Sequence, residues 1–233
     1  MRRLLLIFAI FNFSGCGLVS TSKNETKAVQ AVANFYGGFC EPTIGVSAST
    51  ETGNKKFFEL KVTESNALEQ FKNSPEIAAS NVAYLFYTHL KEEKNQYSEI
   101  RSQLVFKDAD AYIASYPSAD LALIESKLKL VEQLTYLLKS NMFHAISLML
   151  SDQSFAEEEK AKLINSIAAL EPQLGVLKDY TILGFKKSSY NDFNVLDVFV
   201  VVDRAKEKTQ LNVKIDLKPN EDKIHFLDYK FEL

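Results

Sequence analysis

The 233-residue chain is poor in cysteine, glycine and proline, with two, eight and five of each. Two cysteines cannot make a disulfide-stapled scaffold. So few glycines and prolines exclude collagen-like and low-complexity architectures. Basic residues show no surplus: 27 Lys and Arg stand against 30 Asp and Glu, a net charge of −3. Nucleic acid is therefore not an expected partner, because binding it needs a basic surface. No apolar run reaches the roughly 20 residues of a membrane-spanning helix. G-x-S-x-G, Walker, G-x-G-x-x-G and H-E-x-x-H motifs are missing. The three histidines, His89, His144 and His225, lie far apart, and none has a second His or a Cys at metal-ligand spacing. No metal or other cofactor is expected. What remains is 46% hydrophobic residues, enough for a sizeable core.

The amino terminus carries the most specific pattern. Arg2 and Arg3 precede an unbroken apolar run of eight residues, Leu4 to Phe11. Ser14 and Gly15, both small, then precede Cys16. The run is too short to span a bilayer and fits the apolar segment of a secretory signal peptide. This order of charge, apolar run, small pair and Cys resembles the lipobox of bacterial lipoproteins. The resemblance implies cleavage before Cys16, diacylglyceryl transfer to its thiol and acylation of the new amine. Residues 1–15 would be the signal peptide, and 16–25 the lipidated Cys and a polar tether. The mature chain would keep 25 basic against 30 acidic residues, a net of −5. Such a body gains nothing from anionic lipid, so the acyl chains must supply the membrane affinity. Gly17, where an Asp would signal inner-membrane retention, points to the outer membrane.

The rest of the chain reads as α+β. Residues 26–118 form a small unit. Ala28, Val29, Val32, Ala33 and Tyr36 mark a helix over 26–39 that Gly37 and Gly38 end. Ile44, Val46 and Ala48, a turn at Thr52–Asn54, and Phe58, Leu60 and Val62 predict a β-hairpin. Ser74-Pro75-Glu76 starts a helix, with Ser as its cap. Two strands follow, at 97–106 and 111–116.

Residues 119–233 form the second unit. A helix over 119–139 carries two apolar stripes, so it should pack on both sides and tie the halves together. Asn141 precedes a shorter helix with Phe143, Ile146 and Met149. Ser154 and Glu157 have capping-box spacing ahead of a helix that Pro172 and Gly175 stop. Strands then run to the end of the chain: Tyr180 to Phe185, a turn at Ser188 to Asp192, Val195 to Val202, Leu211 to Leu217, and Ile224 to Phe231. The apolar Val195–Val202 run should be covered on both faces.

Helices leading into a long antiparallel sheet have the order of a cystatin-like α+β roll. Residues 127–233 resemble the nuclear transport factor two-like superfamily through LVEQLTYLLKSNMFHAISLMLSD, LGVLKDYTILGF and IHFLDYKFEL. The resemblance implies a curved sheet with a helical lid and an interior able to hold a pocket.

Site residues are few. Cys16 is the expected lipidation site. His225 and Tyr229 alternate with Leu227 on the last strand and are candidate ligand-binding groups if that face looks into the roll. No catalytic residue is assigned. Cys40 reads as a buried thiol, and Asp108 and Asp110 as a turn lacking the Gly and distal Glu of a calcium loop. The expectation is a membrane-anchored envelope lipoprotein acting as a non-enzymatic binding module. Its partners are the membrane, through the lipid, and an envelope protein; its oligomeric state is left open. The alternative is a small-molecule-binding protein or enzyme with its pocket inside the C-terminal roll.

Overall fold

The computed structural model describes residues 21–49 and 53–230. Cys16, the hairpin tip at 50–52 and Phe231 lie outside the described residues.

Ser22 opens the first helix, α1 (Lys23–Tyr36), with a full capping box. Its hydroxyl accepts from the Glu25 amide, and the Glu25 carboxylate accepts from the Ser22 amide. Residues 23–25, expected in the tether, are therefore helical. Gly37, at φ 68°, ends α1 where a left-handed residue is needed. Strands β1 (Phe39–Ser49) and β2 (Gly53–Thr63) form the expected antiparallel hairpin. A short helix α2 (Asn66–Glu69), helix α3 (Pro75–His89) and a 3₁₀ turn (Lys91–Gln96) cross over to β3 (Glu99–Leu104), which runs parallel to β2. β4 (Tyr112–Pro117) completes a four-stranded sheet in the order β1-β2-β3-β4. Ser74 precedes α3 but makes no side-chain cap hydrogen bond.

The second sheet is an antiparallel meander. It is preceded by α4 (Ser118–Lys139), α5 (Phe143–Ser147) and α6 (Glu157–Leu174). Strands β5 (Leu177–Tyr190), β6 (Phe193–Arg204), β7 (Lys208–Asp216) and β8 (Ile224–Lys230) lie in chain order. The β5–β6 turn is tighter than expected. Tyr190 pairs with Phe193, and only Asn191 and Asp192 turn, both at positive φ, as a two-residue hairpin loop requires. Pro172 lies inside the last turn of α6, which continues to Leu174 before Gly175 caps it. Its missing N–H forfeits the bond to Ala168 O, and the helix runs only two residues further.

Ser154 does not cap α6. Ala156 holds that position, its amide donating to Glu159 Oε2 at 2.8 Å. The Ser154 hydroxyl is thereby free for another partner.

One hydrophobic core runs through both sheets. The helix that does most to tie them is α3, rather than α4 as its two stripes suggested. Helix α3 packs on α1, β3 and β4 on one side and on β5 on the other. It is buried almost all round, from Ile77 to Ala83 and again at Phe86 and Tyr87. Its polar residues are satisfied across the join: Ser80 Oγ donates to Ile77 O and accepts from the Phe185 amide at 2.8 Å. Gly184 permits this approach, since a Cβ there would sit 1.9 Å from Ile77 O. Helix α4 also reaches elements of both halves, meeting α3, β4, β5 and β7.

Sheet register divides the second sheet into two unlike faces. Val198, Val200, Leu211 and Val213 share the buried face, and Arg204 on that same face of β6 binds Glu171 of α6. Asp197, Phe199 and Val201 share the other with Gln210, Asn212 and Lys214. Phe199 and Val201 are only half-buried there, so β6 is not fully covered on both faces as its apolar run predicted.

Candidate functional site

The last strand carries both residues singled out from the sequence, and the structure separates them. Alternation would place His225, Leu227 and Tyr229 on one face. A β-bulge overturns this. Lys214 pairs with Phe226 and Ile215 with Ile224, leaving His225 as the extra residue. Leu227 and Tyr229 stay on the face of Val213 and Leu211, while His225 turns toward Phe193 and Asp216.

His225 and Asp216 are each 1% exposed. The imidazole stacks on Phe193, with ring centroids 4.2 Å apart. Its Nε2 lies 3.0 Å from Asp216 Oδ2, and its Nδ1 lies 2.6 Å from Ser154 Oγ. The Lys218 amide donates to Asp216 Oδ1 at 2.7 Å. Burial pushes the Asp216 carboxyl up, but the Lys218 amide and the His225 imidazole together hold it below the usual carboxylate range. An ionised Asp216 only accepts, so a hydrogen sits on Nε2, and in the neutral imidazole the Ser154 hydroxyl donates to Nδ1.

Hydroxyl, imidazole and carboxylate in series have the composition of an activated serine. The surroundings do not complete that chemistry. Acyl transfer needs free donors beside the nucleophile. Here the amides of Ser154 and Phe155 both donate to Ser151 O, at 3.1 and 3.0 Å. The series instead fastens residues 149–154 to the sheet. The Ser151 amide bonds Ile224 O, and the Ile224 amide bonds Met149 O, at 2.9 and 2.8 Å.

Tyr229 belongs to a different network. Its hydroxyl donates to Glu171 Oε1 at 3.3 Å. Glu171 is held bidentately by Arg204, at 2.5 and 2.8 Å, and Arg204 Nε donates to Thr209 Oγ1. Burial first, and then the Glu171 charge, drive the Tyr229 phenol far above its ordinary range, with Arg204 opposing. This network closes the space between α6 and the sheet. The space is packed with buried aliphatic side chains. His225 and Tyr229 are not two walls of one pocket.

A larger concavity lies elsewhere. A half-open groove of about 720 Å³ runs between the α2–α3 segment and the partly exposed face of the second sheet. Phe199 and Val201 of β6 form its floor, Leu183 and Lys186 of β5 one wall, and Lys208 and Gln210 of β7 the other. Gln70, Phe71, Ser74, Glu76 and Ile77 overhang it. Lys186 Nζ lies 5.7 Å from the Phe199 ring centre.

Sequence reasoning missed Ser154, Asp216, Glu171, Arg204 and the groove. Asp216 and His225 stand at the two ends of the β7–β8 connection, residues 217–223, and pairing the two strands would have brought them close. The groove joins residues more than 100 positions apart and left no local signal. Cys40 is half-buried, and burial pushes its thiol up to about 11, in keeping with an unreactive side chain. His89 is exposed, with Nδ1 2.7 Å from Leu85 O of its own helix. Among the described residues, no group of three or more His, Cys, Asp or Glu is arranged to hold a metal ion.

Comparison with known proteins finds no matching family model, no matching curated protein and no matching solved structure.

Proposed function

We propose that this chain is an envelope lipoprotein, anchored through Cys16, whose folded body is a non-enzymatic binding module. The observation that carries the reading is the uninterrupted order of Arg pair, eight-residue apolar run, Ser-Gly and Cys at positions 2–16. Two further features support it. The first helix begins at Lys23, seven residues after Cys16. No helix among the described residues is long and apolar enough to cross a membrane. Gly17 assigns the protein to the outer membrane in an organism that has one. The order of α4 to α6 followed by a four-stranded antiparallel meander supports a cystatin-like roll for residues 119–233. The binding surface lies outside that roll, because its interior is occupied by side chains.

The anchor is tested by Cys16→Ser in the full chain. The wild type should sediment with membranes and carry the mass of a diacylglyceryl group and a further acyl chain. The variant should lose both properties. Equal mass and sedimentation for the two proteins would remove the anchor.

A second reading, an enzyme, is favoured by one observation: the Ser154–His225–Asp216 series. A fluorophosphonate probe separates the two. A serine nucleophile would displace fluoride and form an Oγ–phosphorus bond at Ser154, with its proton passing to His225. A binding module leaves Ser154 unmodified, and that is the expected result by peptide mass mapping.

A further inference from the structure

We infer that the groove between the α2–α3 segment and the second sheet binds an anionic amphiphile: a carboxylate or phosphate head on one acyl chain. The inference rests on the binding-module reading, though not on the anchor.

Three features carry it. The first is size and lining. About 720 Å³ lies within the range of small-molecule sites, and the lining is divided in character. Phe71, Ile77, Leu183, Phe199 and Val201 supply a continuous apolar track for a hydrocarbon chain. These side chains come from both halves of the protein.

The second is charge. The chain is acidic overall, yet the groove carries two lysines against one glutamate. Among the described residues, neither Lys186 nor Lys208 has an ion-pair partner, although both lie in strands with acidic cross-strand neighbours. Lys186 is directly opposite Asp197, but that carboxylate binds Lys214 at 2.7 Å. Lys208 is directly opposite Asp203. The Lys186 ammonium instead sits over Phe199, at the edge of the apolar track. Lys186 pairs at the level of Asp197 and Lys208 at the level of Asp203, six residues further along β6, so the two lysines stand at opposite ends of the floor. An anionic head would meet one of them while its chain lay along Phe199 and Val201.

The third is the set of neutral polar groups. Ser74 precedes α3 without making the cap hydrogen bond its position allows, and its hydroxyl has no partner among the described residues. Gln210 adds an amide on the wall, while Gln70 Nε2 already donates to Ala67 O at 2.9 Å. A hydrogen-bonding head at the Lys208 end finds the Gln210 amide two residues along the same strand face, while Glu76 disfavours a second negative charge. The expected ligand carries one anionic head and one chain.

The test uses the full-length protein in phosphatidylcholine vesicles and a diazirine-bearing palmitate as probe. Light-dependent labelling should map to residues 70–77, 183–186 and 199–210. The matched diazirine-bearing fatty alcohol should label these segments at least five-fold less. Lys186→Gln with Lys208→Gln should lower palmitate labelling to a similar degree. Both lysines are exposed, so the double variant should keep the wild-type circular dichroism and melting temperature.

A parallel arm replaces free palmitate with a photoactivatable lysophosphatidylglycerol, which has one acyl chain, in the vesicles. Labelling by palmitate alone assigns the ligand to a free fatty acid. Labelling by the phospholipid assigns it to an acyl chain drawn from the bilayer. Either outcome supports the inference. Labelling outside the groove, or equal labelling by acid and alcohol, overturns it. So does labelling that survives the double lysine substitution. Running Cys16→Ser beside the wild type distinguishes the failures. A groove labelled in both proteins stands even if the anchor is absent, and an unlabelled groove in an anchored protein refutes the inference alone.

Discussion

Asp216 shows how one side chain can fix the arrangement of several segments. It accepts from the backbone of Lys218 in its own turn and from His225 on the next strand, and His225 holds Ser154 ahead of α6. The carboxyl titrates below its ordinary value because these interactions favour the charged form and outweigh the cost of burial. A depressed folded-state value means that the unfolded chain takes up the proton first as pH falls. The associated stability is therefore fully present above the unfolded value near 4. It is lost as pH falls through the lower, folded value. Asp216→Asn should remove this component. Urea midpoints at pH 7 and pH 3 will check it: the variant should be less stable than wild type at pH 7, and the gap should narrow at pH 3. His225 was legible in the sequence as an unusual polar group on an apolar strand. Its surroundings were not, because period-two alternation assumes an unbroken ladder, and one bulge residue reverses the face.

Among the elements, α6 is locked to the second sheet by charge as well as by apolar packing. Glu171 and Arg204 are both nearly buried and bidentately paired, with Tyr229 and Thr209 filling further hydrogen-bond positions. Breaking such a pair leaves an uncompensated charge in the interior. Arg204→Ala should cost about 3–5 kcal/mol. The double replacement Arg204→Met with Glu171→Leu should cost far less, and equilibrium urea unfolding of both variants will show the difference. The existence and type of the larger elements were readable from periodicity and caps: α1, α3, α4, α6, the first hairpin and the four-stranded meander all occur where apolar spacing placed them. Details that depend on competition between partners were not readable. Ser154 has the spacing of a capping residue, but His225 takes its hydroxyl and leaves Ala156 at the cap. The two stripes of α4 correctly implied packing on more than one side. The more complete burial of α3 was hidden because Ser80 and Asn81 look polar in sequence, while in the fold Ser80 meets Phe185 and Asn81 meets Tyr36.

Over the whole molecule, α3 makes the two sheets one body. It lies between β3 and β4 on one side and β5 on the other, with Gly184 allowing backbone to approach backbone. Because the core is continuous through this contact, cleavage near 117–121 should not yield two independently folded fragments. Limited proteolysis followed by gel filtration should show nicked pieces that stay together until denaturant is added. The parallel pairing of β2 and β3, and the groove that overhangs the second sheet, arise from this long-range arrangement. Neither leaves a periodic trace in any short window of sequence, since each is produced by segments that meet only after the chain has crossed over. The same crossover that joins the halves supplies the overhanging wall of the groove, so fold integrity and ligand access share one segment, residues 70–77.

The capping box at the start of α1 has a mechanical corollary. Ser22 Oγ also donates to Glu93 Oε2 at 2.5 Å, Asn24 donates to Glu93 Oε1 at 3.0 Å, and Tyr97 donates to Glu25. The point where the chain enters the fold is thus riveted to a segment about 70 positions away. A tug delivered through the preceding residues would strain these bonds together before it could peel α1 turn by turn. Load arriving at that end is passed straight to the body of the protein.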